Sequence, residues 1–181
     1  MKTIKYPIKS EWSEILKRPT MDSSALEDKV KEILNDVRLN GDAAIKKYAL
    51  MFDNVAIDKL VVSEDELNAA ENKISYELKD AILQAKSNIE TFHAVQEESV
   101  QEIETTSGVK CWRKSIGIEK VGLYIPGGSA PLFSTVLMLG IPAKLAGCKE
   151  IILCTPPDKN GTINPAILFA AKTVGITKIF K

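Results

Sequence analysis

The stretch Tyr124-Ile125-Pro126-Gly127-Gly128-Ser129 collects residue types that binding chemistry uses. It has an aromatic ring with a polar tip, two adjacent glycines that let a ligand come close to the backbone, and a hydroxyl. A helix starting just beyond it would add unpaired N–H groups and a positive dipole end, for which phosphate is the natural guest. The dinucleotide fingerprint G-x-G-x-x-G is absent, because Gly122, Gly127 and Gly128 have the wrong spacing and no acidic residue closes the next apolar run. On spacing alone the glycines read as turn residues.

Reactive groups elsewhere are sparse. His93 is the single histidine, with no second one to complete a metal set, and it reads as a packed or surface residue of a helix. Cys111, Cys148 and Cys154 lack C-x-x-C spacing, which argues against a disulfide framework and a zinc knuckle, and each reads as a small buried hydrophobe. The carboxylates Glu64, Asp65 and Glu66, and Glu97 with Glu98, fall in a strongly acidic helical region and read as surface charge. No Ser-His-Asp or Cys-His set can be built from one histidine, so no catalytic acid, base or nucleophile is assigned.

The elements that must position the loop are legible around it. Val121 to Ile125 is an apolar run too short for a helix and closed by Pro126-Gly127-Gly128, which predicts a buried strand. Ser129 offers an N-cap and Pro131 suits the first turn of a helix over Leu132–Ala146, closed by Gly147. A second strand follows at Ile151–Cys154, a second helix opens at Asn164-Pro165 and stops at Gly175, and a third strand begins at Lys178-Ile179-Phe180. This β-α-β-α-β order demands a parallel sheet with right-handed crossovers, whose ligands sit beyond the carboxyl ends of the strands. Tyr124 to Gly128 lie at such an end.

Upstream the chain reads as helices. A short one is expected around Glu11–Lys17, ended by Arg18-Pro19; Ser24-Ala25-Leu26-Glu27 then makes a capping-box pattern for a helix with Leu26, Val30, Ile33, Leu34 and Val37 on one face, closed at Asn40-Gly41. Ala44, Ile45, Tyr48 and Phe52 share a side of the next helix, Leu60–Val62 is a strand candidate, and Ser63–Glu66 caps a short helix through Asn72. The longest helix is predicted from about Ser75 to Glu98, on the period of Leu78, Ile82, Ala85, Ile89, Phe92 and Gln96, bridging two lobes. Val100–Thr106 and Val109–Ser115 flank Ser107-Gly108 as a hairpin with Trp112 as an anchor. The best domain boundary lies near Ile116-Gly117, giving a helix-rich lobe over 1–116 and a Rossmann-like domain over 117–181.

Val121 through Leu132, Ser134-Thr135-Val136-Leu137-Met138, Ile141-Pro142-Ala143-Lys144 and Ala146-Gly147 closely resemble histidinol dehydrogenase. The resemblance continues through Thr155-Pro156-Pro157 and Asn164–Ile167. It also reaches back to Val37-Arg38, Gly41–Ala44, Tyr48, Phe52-Asp53, Asn88-Ile89, Phe92-His93 and Gln96, so it spans the chain from about Val30 to Lys181. It implies an α/β fold in which an N-terminal helical lobe precedes an incomplete Rossmann-like parallel unit. It further implies an N-terminal portion of a zinc-dependent enzyme that oxidises L-histidinol to L-histidine with two NAD in succession, in chains more than twice this long. The family's zinc ligands and catalytic Glu-His pair lie in the later half, so the resemblance implies neither a zinc site nor catalytic residues within this chain, and a chain of this length is expected to be inactive. What carries over is Tyr124, matching a tyrosine that contacts NAD, with Pro126 beside it. Phe52-Asp53 are placed more loosely at the same cleft. The family implies a homodimer, and a truncated sheet would itself favour association.

Two other classes remain open: a non-catalytic binding or interaction module on the same fold, and another NAD(P)-dependent aldehyde or acyl-phosphate reductase, which would need a catalytic cysteine in a ligand-facing loop. Composition narrows the setting. The 181 residues are 45% hydrophobic and 27% charged, an ordinary globular balance. Net charge is zero but uneven: residues 63–108 carry three basic against eleven acidic side chains, and 109–181 ten against three. The basic third could help attract a pyrophosphate, or the two regions simply complement each other. Without a continuous basic face or interleaved aromatics, nucleic acid is a poor partner. Pro131–Gly147 is too short and too interrupted to span a bilayer, the N-terminus has no apolar core for a secretory signal, and the cysteine pattern suits a reducing cytoplasm.

Overall fold

Helices form first along the chain in the computed structural model, which describes residues 3–18, 24–127 and 130–181. Two units are formed, Met1–Ala44 and Ile45–Lys181. In the first, a 3-10 turn at Lys9–Glu11 runs into α1 (Trp12–Ile15), a single turn that buries nothing and is shorter than the expected Glu11–Lys17. Pro19, the expected stop, lies outside the described residues. α2 (Ser24–Asn40) runs as expected; Gly41 closes it in the left-handed region at φ +55°, with its N–H donating to Val37 O at 2.8 Å. The side chain of Ser24 lies outside the described residues. The apolar stripe of α2 is open to solvent at Leu26, Val30 and Leu34 and half-buried at Ile33 and Val37.

α3 (Asp42–Tyr48) carries the chain into the second unit and ends in a widened turn, Ala49–Asp53, with Asn54 left-handed at φ +55°. Tyr48 and Phe52 stack there, ring centroids 5.6 Å apart. Ser63 caps α4 (Glu64–Ala69), accepting from Glu66 N–H, and a 3-10 turn follows at Ala70–Lys73. Ser75 caps α5 (Tyr76–Ala94) in the same way, accepting from Leu78 N–H. α5 stops four residues short of the expected Glu98. Its stripe is buried at Ile82, and Leu78, Ala85 and Ile89 pack against the core, but Phe92 is exposed.

The predicted hairpin forms from β1 (Glu102–Thr106) and β2 (Val109–Trp112), antiparallel across the turn at Ser107-Gly108. Gly108 takes φ +81°, which that turn requires, and its N–H donates to Glu104 Oε1 at 2.8 Å. Every residue of both strands is exposed, and Trp112, expected as an anchor, is 61% exposed.

The parallel sheet then follows. β3 (Lys120–Tyr124), β4 (Glu150–Cys154) and β5 (Lys178–Phe180) lie in sequence order, all parallel, joined by α6 (Phe133–Leu145) and α7 (Pro165–Val174). Register pairs Tyr124 with Cys154 and Cys154 with Phe180. Leu60–Val62 add to the outer edge of β5: Val61 bridges Phe180 antiparallel, Val62 N–H donates to Ile179 O at 2.9 Å, and Lys181 N–H to Leu60 O at 2.7 Å.

Side-chain alternation explains where the core sits. Leu123, Ile125, Ile151, Leu153 and Ile179 point to one face and are buried with Val136, Leu137 and Ile141 of α6, with α7, and with Ile82 of α5. Both crossover helices and α5 share that face. The other face, with Gly122, Tyr124, Ile152, Cys154 and Phe180, has no helix on it among the described residues. Gly140 lets α6 approach closely, since a Cβ there would lie 3.0 Å from both Val174 Cγ1 and Ile176 Cδ1.

Asn164 caps α7: its Oδ1 accepts from Ala166 N–H at 2.9 Å, and Pro165 occupies the first turn, where no N–H is needed. Asn164→Ala is expected to cost about 1 kcal/mol, read as a lower urea midpoint with unchanged slope.

Candidate functional site

The candidate loop begins at the carboxyl end of β3. Tyr124 is the last residue of that strand and alternation turns its side chain to the uncovered face, where it is 63% exposed. Ile125 follows, wholly buried, and its N–H donates to Cys154 O at 2.9 Å, so the strand pairing runs one residue past Tyr124 before the chain leaves the sheet. Pro126 and Gly127 are exposed. Gly128 and Ser129 lie outside the described residues. The N-cap position of α6 belongs to Leu132 rather than to Ser129, and Leu132 has no side-chain acceptor to offer.

The two helix starts at this end of the sheet therefore differ. Asn164 closes its own helix from within, whereas the first N–H groups of α6 have no side-chain partner from their N-cap residue. Beside them lies the loop after β4, shaped by Asp158, which the sequence reading passed over. Its Oδ1 accepts from the N–H groups of Asn160 and Thr162, both at 2.9 Å, and its Oδ2 from Thr162 Oγ1 at 3.0 Å. The Thr162 N–H, foremost among these donors, holds the Asp158 carboxyl below the usual carboxylate range. Asp158-Lys159-Asn160-Gly161-Thr162 was the available signal, because an aspartate two residues before Asn-Gly is a turn in which its side chain caps the backbone.

The other singled-out residues fall elsewhere. His93 sits near the end of α5, on the helix-covered side of the sheet, with Nδ1 2.8 Å from Gln96 Oε1 and its ring edge-on to Phe92. Cys154 lies opposite Tyr124, and partial burial pushes its thiol up, so it stays protonated and is a poor nucleophile. Glu64, Asp65 and Glu66 occupy the first turn of α4, where they favour the helix dipole. Glu98 pairs with Arg113 at the surface. A groove of about 790 Å³ runs along the hairpin, lined by Glu98, Ile103, Cys111, Trp112 and Arg113 among others, and does not include Tyr124. Phe52 is 60% exposed and stacks on Tyr48.

Among the described residues no three His, Cys, Asp or Glu side chains gather as a metal centre needs. The loop at Tyr124 differs in what it exposes. It offers a flat exposed ring and, at the next helix, backbone donors without a side-chain cap. Apart from the Tyr124 phenol, the described residues of the loop carry no titratable side chain.

Residues 16–181 match the family model described as histidinol dehydrogenase. A histidinol dehydrogenase of Bacteroides thetaiotaomicron is 59% identical over all 181 residues, which are 42% of that protein. One of Haemophilus influenzae is 46% identical over 94% of this chain and 39% of its own length. The crystal structure of histidinol dehydrogenase from Elizabethkingia anophelis superposes with a TM-score of 0.90 at 52% identity, covering 97% of this chain and 40% of that one. The chain thus spans about two fifths of the length of the relatives it matches.

Proposed function

The chain belongs to the histidinol dehydrogenase family, and we propose that it forms the cofactor-facing N-terminal part of an enzyme that oxidises L-histidinol to L-histidine with NAD. The observation that carries this is the exposed Tyr124 ring at the carboxyl end of β3, beside a helix whose N-cap residue, Leu132, offers its first N–H groups no side-chain acceptor. Two NAD molecules bound in succession would supply the hydride acceptor, one for the alcohol and one for the aldehyde. Tyr124 provides a face on which a planar ring lies, Pro126 stiffens the turn away from it, and the start of α6 favours a pyrophosphate. The substrate proton must go to a base outside the described residues. Zinc belongs to the same reading as a cofactor of the longer enzyme, with ligands from outside this chain.

This reading divides the chain functionally near Ile116-Gly117, with 1–116 as a helix-rich lobe and 117–181 as the first part of an NAD-binding domain. L-histidinol and NAD are its ligands, and it acts in the cytoplasm, in keeping with three free cysteines. No helix of the described residues is long and apolar enough to cross a membrane. Self-association, as a homodimer, is supported by the uncovered sheet face with Tyr124, Ile152 and Phe180, since a parallel sheet is normally covered on both sides.

The test is NADH formation from L-histidinol with added zinc, using this chain beside one extended to the relatives' length. Only the extended chain is expected to turn over. In it, Tyr124→Ala should raise the KM for NAD about tenfold, with a smaller change for histidinol. Turnover by the short chain at a comparable rate would overturn the placement of base and metal outside it.

A further inference from the structure

Gly127 lies against Pro156, and the contact joins the loop after β3 to the loop after β4. A Cβ added to Gly127 would stand 2.7 Å from Pro156 Cγ, closer than carbon atoms tolerate, with its Cβ at 3.7 Å and its Cδ at 3.9 Å in ordinary contact. The backbone at Gly127 is not in the left-handed region, so glycine is needed there for space and not for conformation. Relief by side-chain motion is closed off, because the proline ring is tied to its own backbone and Pro157 follows it directly. The sheet is firm just before both residues: Ile125 and Thr155 are buried, Ile125 N–H donates to Cys154 O at 2.9 Å, and Thr155 N–H to Phe180 O at 3.1 Å. Two loops thus leave adjacent strands side by side and touch at once, with one partner lacking a side chain and the other unable to turn.

We propose that Gly127 and Pro156 act as a pair of positioning residues, a steric latch that fixes where the chain runs as it leaves β3, from Tyr124 to Gly127, and so presets the cofactor loop. The inference rests on the reading of that loop as the NAD-facing one. Neither residue supplies a donor or a charge in this role. Their contribution is shape: the β3 loop can lie this close to the β4 loop only while position 127 has no side chain or position 156 has no ring.

Such a latch predicts rescue. Gly127→Ala should push the loop off Pro156, and Pro156→Ala, which removes the ring atoms that clash, should accommodate the added methyl in the double variant. Hydrogen exchange at the Ile125 amide, which donates to Cys154 O at 2.9 Å, and at the Thr135 amide of α6, which donates to Leu132 O at 3.1 Å, measured in the 181-residue chain, reads the latch without any cofactor. Exchange should quicken at least about fivefold in Gly127→Ala and return to within about twofold of the parent in Gly127→Ala/Pro156→Ala, with the amides of β4 unchanged. NAD titrated into the chain extended to the relatives' length should bind about tenfold more weakly to Gly127→Ala, and within about threefold of the parent to the double variant.

Unchanged exchange in Gly127→Ala would overturn the latch, whatever happens to NAD. Faster exchange with undiminished NAD affinity would overturn its positioning role. A loss of affinity that Pro156→Ala does not restore would also overturn it, since the glycine would then be needed by the ligand itself. Absence of NAD binding by the extended parent chain would overturn the functional reading and the positioning role with it, while the exchange result would still report on the contact between the loops.

Discussion

Leu153→Ala is expected to lower the unfolding free energy by about 3–5 kcal/mol, the largest loss any single side-chain truncation in the sheet should produce. Leu153 lies in the middle strand, paired with Leu123 on one side and Ile179 on the other, and has no solvent exposure. Its face meets α6, α7 and α5, so all three helices would border the cavity left behind. Relaxation cannot close it readily, because β4 is held by strands on both edges and the surrounding core side chains come from strands and helices alike. Since a domain's whole stability is about 5–15 kcal/mol, much of the population would unfold near room temperature. Urea unfolding followed by far-ultraviolet circular dichroism checks this, with Met138→Ala as the contrast: Met138 lies on α6 but is half exposed, and its loss should fall within about 1 kcal/mol. A loss at Leu153 no larger than at Met138 would contradict the placement of the core on this face.

Gly117→Ala should cost about 1–3 kcal/mol, although an alanine for a glycine normally stabilises by about 0.4–1 kcal/mol through the unfolded chain. A Cβ at Gly117 would fall 2.0 Å from the carbonyl oxygen of Ala146 and 3.0 Å from its carbon, which is backbone at the end of α6 and cannot rotate away. The segment between β2 and β3 must shift as a whole, or α6 must lose its last turn. Gly122→Ala gives the opposite sign. Nothing lies within 4 Å of a Cβ at Gly122, its backbone is ordinary, and the strand should gain about 0.5–1 kcal/mol. Thermal unfolding of the two variants side by side is the measurement. Shifts of the same sign would mean that the Gly117 contact with Ala146 is absent in solution.

Much of the sheet was legible because its punctuation is chemical. Pro126-Gly127, Gly147, Asn164-Pro165 and Gly175 each do a backbone job that few other residues can do, and the apolar runs between them have lengths that suit only strands or only helices. The helix ends after Ser75 and before Gly147 were placed nearly right for the same reason. The period over α5 misled at its far end. Periodicity tells which side chains would share a face if the helix continued, and not where the packing that sustains it stops; α5 has covered its part of α6 by Ile89, and the backbone turns at Val95. Trp112 was expected to anchor because of its size, but an anchor needs a surface opposite it, and the sequence carries no information about that surface.

The site was legible in another way. Residue types suggested binding at Tyr124–Gly128, spacing suggested only a turn, and it was the resemblance that singled out Tyr124. Contacts between loops, Gly127 with Pro156 or Gly117 with Ala146, stayed invisible, since they depend on strand register and on how far each loop leans once it leaves the sheet. Asp158 was visible in principle, as a local turn whose chemistry is written within five consecutive residues.

The antiparallel crossing of Leu60–Val62 at Phe180 gives the sheet a direction of growth. Its hydrogen bonds already occupy the outer rim of β5, so a fourth parallel strand, from whatever polypeptide, has a vacant berth only alongside Lys120–Tyr124. Docking there would make β3 an interior strand and leave strands running away from it on either hand, the arrangement in which neighbouring crossovers part and open a crevice at the strand ends. The residue at the lip of that crevice would be Tyr124. A segment that precedes the sheet by almost sixty residues would thus decide, by blocking the far rim, on which side such a crevice opens.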